Sequence, residues 1–127
     1  YQEGGHAIAA VIVQGNEVVA EAFTSVRRDG DPTCHAEMNV IRQAARKVGR
    51  ELTNCYLYTT YEPCPMCASA CVWARLKGII YGSSREDGPE LFWRVRIPSS
   101  EIINNGNPKL ELYSDFMRDE CKELLKL

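Results

Sequence analysis

Two short motifs bring one histidine and two cysteines into a pattern that could hold a single metal ion. Cys34-His35-Ala36-Glu37 comes first, and Pro63-Cys64-Pro65-Met66-Cys67 follows it later in the chain. A catalytic zinc ion takes three protein ligands and keeps its fourth tetrahedral position open, and one imidazole with two thiolates supplies those three. The sequence therefore predicts one Zn2+ ion bound by His35, Cys64 and Cys67.

Glu37 gives the predicted site an acid–base group two residues after the histidine. Zinc lowers the pKa of water from about 15.7 towards about 7, so a nucleophile becomes available near neutral pH. A carboxylate beside that water can accept its proton and return it to a ring nitrogen and to departing ammonia. We therefore expect hydrolytic deamination, with Glu37 as the proton shuttle and not as a metal ligand.

Both motifs are expected at the N-termini of helices. Asp31 or Thr33 can cap a first helix that begins near Pro32 and ends at Gly49. Pro65 suits the first position of a second helix, which sets the two motif cysteines one turn apart on one face. The helix dipole at these positions favours the charged forms of thiolate and carboxylate.

Simpler interpretations of the cysteine motif remain open. A Cys-x-x-Cys pair is by itself also typical of a redox pair or of half a structural zinc site. A closed structural site would need a fourth ligand, and Cys71, one turn beyond Cys67, is the nearest candidate. The cysteines not assigned to zinc are expected to be buried free thiols: Cys34, Cys55, Cys71 and Cys121.

The composition indicates one globular domain over residues 1–127. Of these residues 45% are hydrophobic and 25% are charged, enough for a sizeable core. No apolar run approaches the roughly 18 residues of a membrane span, and no signal-peptide pattern precedes the motifs, although the chain begins at Tyr1 without methionine. The net charge of -2 gives no general attraction to nucleic acid but leaves a local basic patch open. Free thiols beside a metal site are typical of a cytoplasmic protein.

The apolar runs around the motifs predict strands. A hairpin is expected around Gly15-Asn16, and runs rich in β-branched and aromatic residues follow each motif helix. Their alternation with helices predicts parallel neighbours joined by right-handed crossovers, with ligands bound at the carboxyl ends of the strands. The predicted strands are Ala7–Gln14, Glu17–Phe23, Asn54–Thr60, Ile79–Gly82 and Lys109–Tyr113.

The second half of the chain is less regular. The second motif helix is expected to run through Leu76 to Gly78, and Ser83–Pro108 is broken repeatedly by glycine, proline and asparagine. Phe92 and Trp93 lie in that stretch and either cover the core or form an aromatic lid that stacks on a planar base. A closing amphipathic helix is expected over 116–125, with an apolar face of Phe116, Met117, Cys121, Leu124 and Leu125.

The two motifs resemble those of the cytidine deaminase superfamily, in the branch with guanine deaminase, fungal-type cytosine deaminase and the bacterial tRNA adenosine deaminase. The residues that carry the resemblance are Cys34-His35-Ala36-Glu37 and Glu62-Pro63-Cys64-Pro65-Met66-Cys67. The resemblance implies an α/β fold, a three-layer α/β/α sandwich around a five-stranded mixed sheet. It also implies zinc on the same three ligands and a homodimer with the zinc-binding helices near its interface.

Three departures from the family pattern leave the substrate open. Relatives usually carry an asparagine after the second strand, where this chain has Thr24, and a threonine lacks the paired donor and acceptor of an amide. Ala7-Ile8-Ala9-Ala10 replaces a usual Pro-x-Gly-Ala, and only Tyr1–His6 stand where relatives have a further helix. The candidate substrate contacts are Thr24, Ala36, Glu62, Pro63, Phe92 and Trp93.

Three functional hypotheses are consistent with these motifs. The leading hypothesis is deamination of a small nucleobase, nucleoside or related amino-heterocycle, with no membrane partner. The first alternative is a tRNA adenosine deaminase, which would need RNA as its partner and a basic face from Arg27, Arg28, Arg94 and Arg96. The second is a non-catalytic, zinc-stabilised binding module, against which the presence of Glu37 argues.

Overall fold

The computed structural model describes residues 7–126. Within this range five strands alternate with short and long helices, and two 3-10 turns follow the fourth strand. The elements are β1 (Ala9–Gln14), β2 (Glu17–Phe23), α1 (Val26–Asp29), α2 (Ala36–Val48), β3 (Cys55–Tyr61), α3 (Pro65–Trp73), β4 (Gly78–Ser83), α4 (Ser99–Asn104), β5 (Glu111–Tyr113) and α5 (Arg118–Leu124). The 3-10 turns cover Arg85–Asp87 and Glu90–Phe92.

The five strands form one mixed sheet in the order β2-β1-β3-β4-β5. β1 pairs antiparallel with both of its neighbours, and β3, β4 and β5 run parallel. Because β1 is antiparallel to both β2 and β3, these two strands run in the same direction. α2 and α3, which follow these two strands, therefore begin at the same edge of the sheet.

Helices cover both faces of the sheet. All six residues of β4 are buried. Ile79 points into the apolar core shared with α2, α3 and α4, whereas Gly82, of the opposite parity, faces Cys121 of α5. The result is the predicted three-layer α/β/α sandwich, with α2, α3 and α4 in one outer layer and α5 in the other.

Side-chain alternation explains how β3 anchors the core. Its burial alternates strictly, so Cys55 and Leu57 point into the apolar core while Tyr58 points to the opposite face and contacts the ring of Phe116. On the core face, α2 contributes small and β-branched residues that pack closely on β1 and β2. The largest fully buried side chains include Ile12, Leu57, Ile79, Ile103 and Val40.

The strand predictions are confirmed, with parallel pairing only from β3 onwards. The predicted start of the first motif helix near Pro32 is wrong. Asp31 accepts hydrogen bonds from the backbone N–H and hydroxyl of Thr33, at 2.8 and 2.7 Å, and this tight turn precedes extended backbone at His35. The helix therefore begins at Ala36, still with Glu37 in its first turn.

The predicted end of the second motif helix and the predicted start of the closing helix are also wrong. α3 stops at Trp73 because Arg75 adopts a left-handed φ of 58°, and its N–H and that of Leu76 bond back to Val72 and Cys71. These two bonds form a Schellman ending with arginine where glycine is usual. At the C-terminus, Phe116 and Met117 precede the closing helix and are about half exposed, so they do not belong to its apolar face.

No helix in residues 7–126 is both long and apolar enough to cross a membrane. The expectation that Tyr1–His6 replace a helix falls outside the described residues.

Candidate active site

His35, Cys64 and Cys67 come together at the sheet edge where α2 and α3 begin. Their ligand atoms all lie within 4.8 Å of one another. The Nδ1 atom of His35 is 3.6 Å from Sγ of Cys64 and 3.5 Å from Sγ of Cys67. Two of the three are partly exposed, while Cys67 is fully buried.

This donor set fits zinc. With Zn–N near 2.0 Å and Zn–S near 2.3 Å, tetrahedral geometry separates a nitrogen and a sulfur ligand by about 3.6 Å. The two observed nitrogen–sulfur distances match that separation. A soft, two-sulfur and one-nitrogen donor set with a side open to a cavity is typical of catalytic zinc.

Local hydrogen bonds hold the His35 segment in place. Ser25 donates its backbone N–H to the Cys34 carbonyl at 2.9 Å, which joins the end of β2 to the approach of α2. From the first turn of α2, the Asn39 amide donates to the Phe23 carbonyl at 2.9 Å and to the Cys34 carbonyl at 3.3 Å. Asn39 was not predicted from the sequence, because only its contacts reveal that it braces the histidine.

The start of α3 holds the two cysteines as predicted. Cys64 is the N-cap residue with extended backbone, and Pro65 occupies the first helical position. A hydrogen bond from Cys67 lowers the pKa of Cys64 to about 3. The hydrogen bond to Cys64 and burial together raise the pKa of Cys67, and the bond to Cys64 raises the pKa of His35. These hydrogen bonds favour the thiolate form of Cys64.

Glu37 is a buried carboxylate beside the metal ligands. Its side chain lies in the first turn of α2, with 4% of the residue exposed. Burial raises the pKa of Glu37 to about 7. A carboxyl group with a pKa in this range can both accept and release a proton near neutral pH.

Cys71 does not join the metal ligands. It is fully buried in the apolar core, where desolvation raises its thiol pKa, and it lies outside the one metal-binding group found within residues 7–126. The closed structural zinc site is therefore wrong for this part of the chain. All six cysteines are free thiols.

A cavity of about 320 Å³ opens onto the metal ligands. His35, Glu37 and Cys64 line its inner side. The segments after β2 and β4 form most of the remaining walls, with Thr24, Ser25, Val26, Arg27, Arg28, Arg85, Leu91, Phe92 and Arg94. Ile8 before β1, Ala36 at the start of α2, and Tyr61 and Glu62 at the end of β3 complete them. Its volume suits a ligand of nucleobase to nucleotide size.

The predicted substrate contacts fall into two groups. Thr24, Ala36, Glu62 and Phe92 line the cavity, and the Phe92 ring packs edge-on against Tyr61 at a centroid distance of 6.1 Å. Pro63 and Trp93 do not line it. Pro63 is fully buried and Trp93 faces the Arg85 guanidinium.

Glu62 has a structural task in this wall. Its Oε1 accepts the backbone N–H of Arg85 at 3.0 Å, and its Oε2 accepts the N–H and the hydroxyl of Ser99, each at 2.9 Å. One buried carboxylate thereby fixes both ends of the irregular stretch after β4.

Arg85 and Tyr61 are among the cavity residues that sequence reasoning missed, with Ile8, Ser25, Val26 and Leu91. The Tyr61 hydroxyl donates to the Arg85 carbonyl at 2.7 Å, and the guanidinium carbon lies 4.6 Å from the Tyr61 ring centroid. The available signal was an arginine directly after the small residues Gly82, Ser83 and Ser84 at the end of β4. Of the predicted basic face, Arg27, Arg28 and Arg94 line the cavity, whereas Arg96 pairs with Glu90 at 2.7 Å outside it.

Comparisons with known proteins agree with this site. Residues 1–83 match the cytidine and deoxycytidylate deaminase zinc-binding region. The guanine deaminase of Bacillus subtilis (strain 168) is 42% identical over 87 residues, which are 68% of this chain and 56% of that protein. The tRNA-specific adenosine deaminase of Buchnera aphidicola subsp. Schizaphis graminum (strain Sg) is 31% identical over 98% of this chain and 80% of its own length.

A solved structure from a study of A-to-I editing by tRNA:A34 deaminases superposes with a TM-score of 0.77 at 32% identity, over 93% of this chain and 84% of its own. The chain spans little more than half of the Bacillus subtilis relative, so similarity alone does not assign that protein's activity to this chain. The matched region contains both motifs and the whole metal group. The chain therefore belongs to the cytidine and deoxycytidylate deaminase zinc-binding family.

Proposed function

We propose that this protein is a zinc-dependent hydrolytic deaminase. It would convert an exocyclic amino group of a nucleobase, nucleoside or related amino-heterocycle to a carbonyl and release ammonia. The observation that carries this proposal is the buried carboxylate of Glu37 beside the His35, Cys64 and Cys67 donor set at the inner side of a ligand-sized cavity. A purely structural zinc site has no use for that carboxylate.

His35, Cys64 and Cys67 would hold the zinc ion. When bound, it supplies Lewis acidity that makes water a good nucleophile near neutral pH. The three side chains extend from the N-termini of two helices that are packed into the core, so their positions change little when substrate enters.

Glu37 would move the protons of the reaction. Water adds its oxygen to the ring carbon that bears the amino group, and the carbon–nitrogen bond to that group then breaks. Glu37 accepts a proton from the water and delivers it to the ring nitrogen. It then carries the second proton to the amino group, which leaves as ammonia. Burial keeps bulk water from intercepting these protons.

The test is ammonia release from zinc-loaded protein. The substrates are guanine, cytosine and adenine with their nucleosides and nucleotides, aminotriazines, and a tRNA anticodon stem-loop. Glu37→Gln keeps the shape of the side chain, so we expect full zinc content and a fall in turnover of about 100- to 10,000-fold. A Glu37→Gln protein as active as the wild type would overturn the mechanism. A zinc-loaded protein that binds but turns over none of the panel would favour the binding module.

A tRNA adenosine deaminase is the second candidate. The tRNA-specific adenosine deaminase of Buchnera aphidicola aligns over 98% of this chain, and four arginines line the cavity. In the same panel, turnover of the stem-loop alone would select this candidate over the small-molecule one.

We also propose that residues 1–127 form a single deaminase domain that acts as a homodimer in the cytoplasm. Support for the dimer comes from Trp73, which is 86% exposed on α3, the helix that holds two metal ligands. Support for a reducing compartment comes from six free cysteines. Sedimentation of the wild type and of Trp73→Glu tests the dimer, since a charge in a buried interface would yield monomers. A wild-type monomer would refute it.

A further inference from the structure

Arg85 is a buried arginine in the wall of the cavity, with 7% of the residue exposed. Its backbone is fixed on both sides by the bonds to Glu62 and Tyr61. Its guanidinium lies 4.6 Å from the Tyr61 ring centroid and 5.9 Å from that of Trp93. The planar cation therefore has a fixed position and orientation before any ligand enters.

The guanidinium has no carboxylate partner among residues 7–126, because none of the ion pairs there includes Arg85. Glu62, the carboxylate nearest to it along the hydrogen-bond network, uses its oxygens on the Arg85 backbone and on Ser99. Burial raises the pKa of the Glu37 carboxyl and the nearby Arg85 charge opposes that rise, but the two groups form no ion pair. The two aromatic faces offset only part of the cost of burying the Arg85 cation.

The N–H groups of Arg85 reach the cavity. The Tyr61 hydroxyl donates to the Arg85 carbonyl and the guanidinium lies against the Tyr61 ring, so this tyrosine leaves most of the five guanidinium N–H donors unpaired. Within the described part of the chain, every fully buried side-chain nitrogen has a hydrogen-bond partner, so the remaining Arg85 donors are not fully buried. Because Arg85 lines the cavity, these donors are available to a ligand.

The cavity as a whole also carries a net positive charge. Four arginines and two carboxylates line it, and Glu62 is already committed to backbone groups. Arg27 and Arg94 are exposed at the rim and belong to none of the ion pairs in residues 7–126. A neutral base would leave these cations without a partner, whereas an anionic substituent would meet one inside and two at the mouth.

We propose that Arg85 is a substrate-binding residue that selects amino-heterocycles carrying a phosphate group, with Arg27 and Arg94 attracting the same group at the rim. A guanidinium fork fits phosphate oxygens in a bidentate pair, which is the strongest hydrogen-bonded contact that arginine makes. The inference rests on the proposed deaminase activity and narrows its substrate from free bases to phosphate esters. The phosphate can belong to a free mononucleotide or to an oligonucleotide.

The experiment compares nucleosides with their 5′-monophosphates in wild type, Arg85→Met and Arg85→Lys. Arg96→Met is the matched control, because Arg96 pairs with Glu90 and does not line the cavity. Methionine keeps most of the apolar volume against Tyr61 and Trp93. Two readouts are taken: kcat/KM for deamination of cytidine, adenosine and guanosine against their monophosphates, and calorimetric binding of uridine and inosine against their monophosphates, which needs no turnover.

We expect the wild type to prefer the monophosphate, and Arg85→Met to lose about 10- to 100-fold more in kcat/KM and affinity for monophosphates than for nucleosides. Arg85→Lys should recover part of that loss, and Arg96→Met should match the wild type. An equal loss for nucleoside and monophosphate would mean that Arg85 only packs against the rings, and would overturn the inference. So would an unchanged preference in Arg85→Met.

The two proposals fail separately. Deamination of nucleosides with no monophosphate preference would leave the deaminase and refute the role of Arg85. Arg85-dependent binding of product monophosphates without deamination of any substrate would leave the role of Arg85 and refute the deaminase. A stem-loop oligonucleotide whose turnover alone depends on Arg85 would support the phosphate contact and identify its source as a polynucleotide.

Discussion

Two walls of the cavity, one at the metal ligands and one after β4, are built in different ways. The metal wall comes from the N-termini of α2 and α3, whose following turns are packed into the apolar core. The loop wall, residues 84–98, has little regular structure and is held by a few polar and ring contacts. Leu91 in that wall is 68% exposed, whereas Cys67 in the metal wall is fully buried.

This difference separates the chemistry from the choice of substrate. Atoms that must keep fixed distances for metal binding extend from elements that the core stabilises. Atoms that select the ligand lie on a loop whose contacts can change without unfolding the core. We therefore expect substitutions in the metal wall to abolish zinc binding, and those in the loop wall to change stability or KM without loss of zinc. Four predictions test this difference, from the largest expected effect to the smallest.

Replacing a ligand in the metal wall should have the largest effect. Cys67→Ser removes a buried thiolate, so we expect zinc affinity to fall by more than about 100-fold and deamination to disappear with it. Zinc content and ammonia release measure both losses. Cys121→Ser is the control, since Cys121 lies on α5 away from the metal group. Full zinc occupancy in Cys67→Ser would show that the ligand set is wrong.

Removing the anchor of the loop wall should cost stability without loss of zinc. Glu62→Ala leaves the buried N–H groups of Arg85 and Ser99 without their acceptor, so we expect the free energy of unfolding to fall by about 3 kcal/mol. Denaturant unfolding measures the loss. Glu51→Ala, which breaks only an exposed pair with Arg75, should change it by less than about 0.5 kcal/mol. Loss of zinc from Glu62→Ala would contradict the separation of the two walls.

The start of the loop wall, next to β4, should respond to acid. Hydrogen bonds from Arg118 lower the pKa of Asp87, which also accepts the backbone N–H of Ser84 at 2.8 Å. A lowered folded-state pKa gives stability that is complete above the unfolded-state value of about 3.9 and is lost as the pH falls through the folded-state value. Asp87→Asn should therefore be less stable than the wild type by about 1 kcal/mol at pH 7. The gap should close below pH 4, and a gap that is constant with pH would refute the ionic contribution.

Trimming the exposed part of the loop wall should have the smallest effect on stability. Leu91→Ala should change the free energy of unfolding by less than about 0.5 kcal/mol, because its side chain is mostly in solvent. Since Leu91 lines the cavity, KM should rise while zinc content stays constant. Val18→Ala, at a similarly exposed site on the hairpin, should change neither quantity. A marked destabilisation by Leu91→Ala would mean that this wall also belongs to the core.

Sequence reasoning predicted the metal wall well because local rules fix it. Pro65 marks the helix start, and the spacing of Cys64 and Cys67 follows from one helical turn. The extended approach to His35 was missed because the Asp31 turn competes with a helix cap and the two look alike in sequence. The loop wall was not predictable in the same way, because Arg85 and Ser99 meet Glu62 only through long-range folding.

The Glu62 carboxylate holds both ends of the loop wall. It accepts hydrogen bonds from Arg85 at one end of the stretch and from Ser99 at the other. Two residues after Glu62, Cys64 is the N-cap of α3. Between Arg85 and Ser99, positions 89–91 and 94–98 are exposed, so their sequence can change while both ends stay at fixed positions beside the metal group. The segment 89–98 is therefore an exchangeable cassette. Grafting the corresponding segment of a related deaminase between the same two anchors would offer a direct way to redesign which substrates the protein accepts.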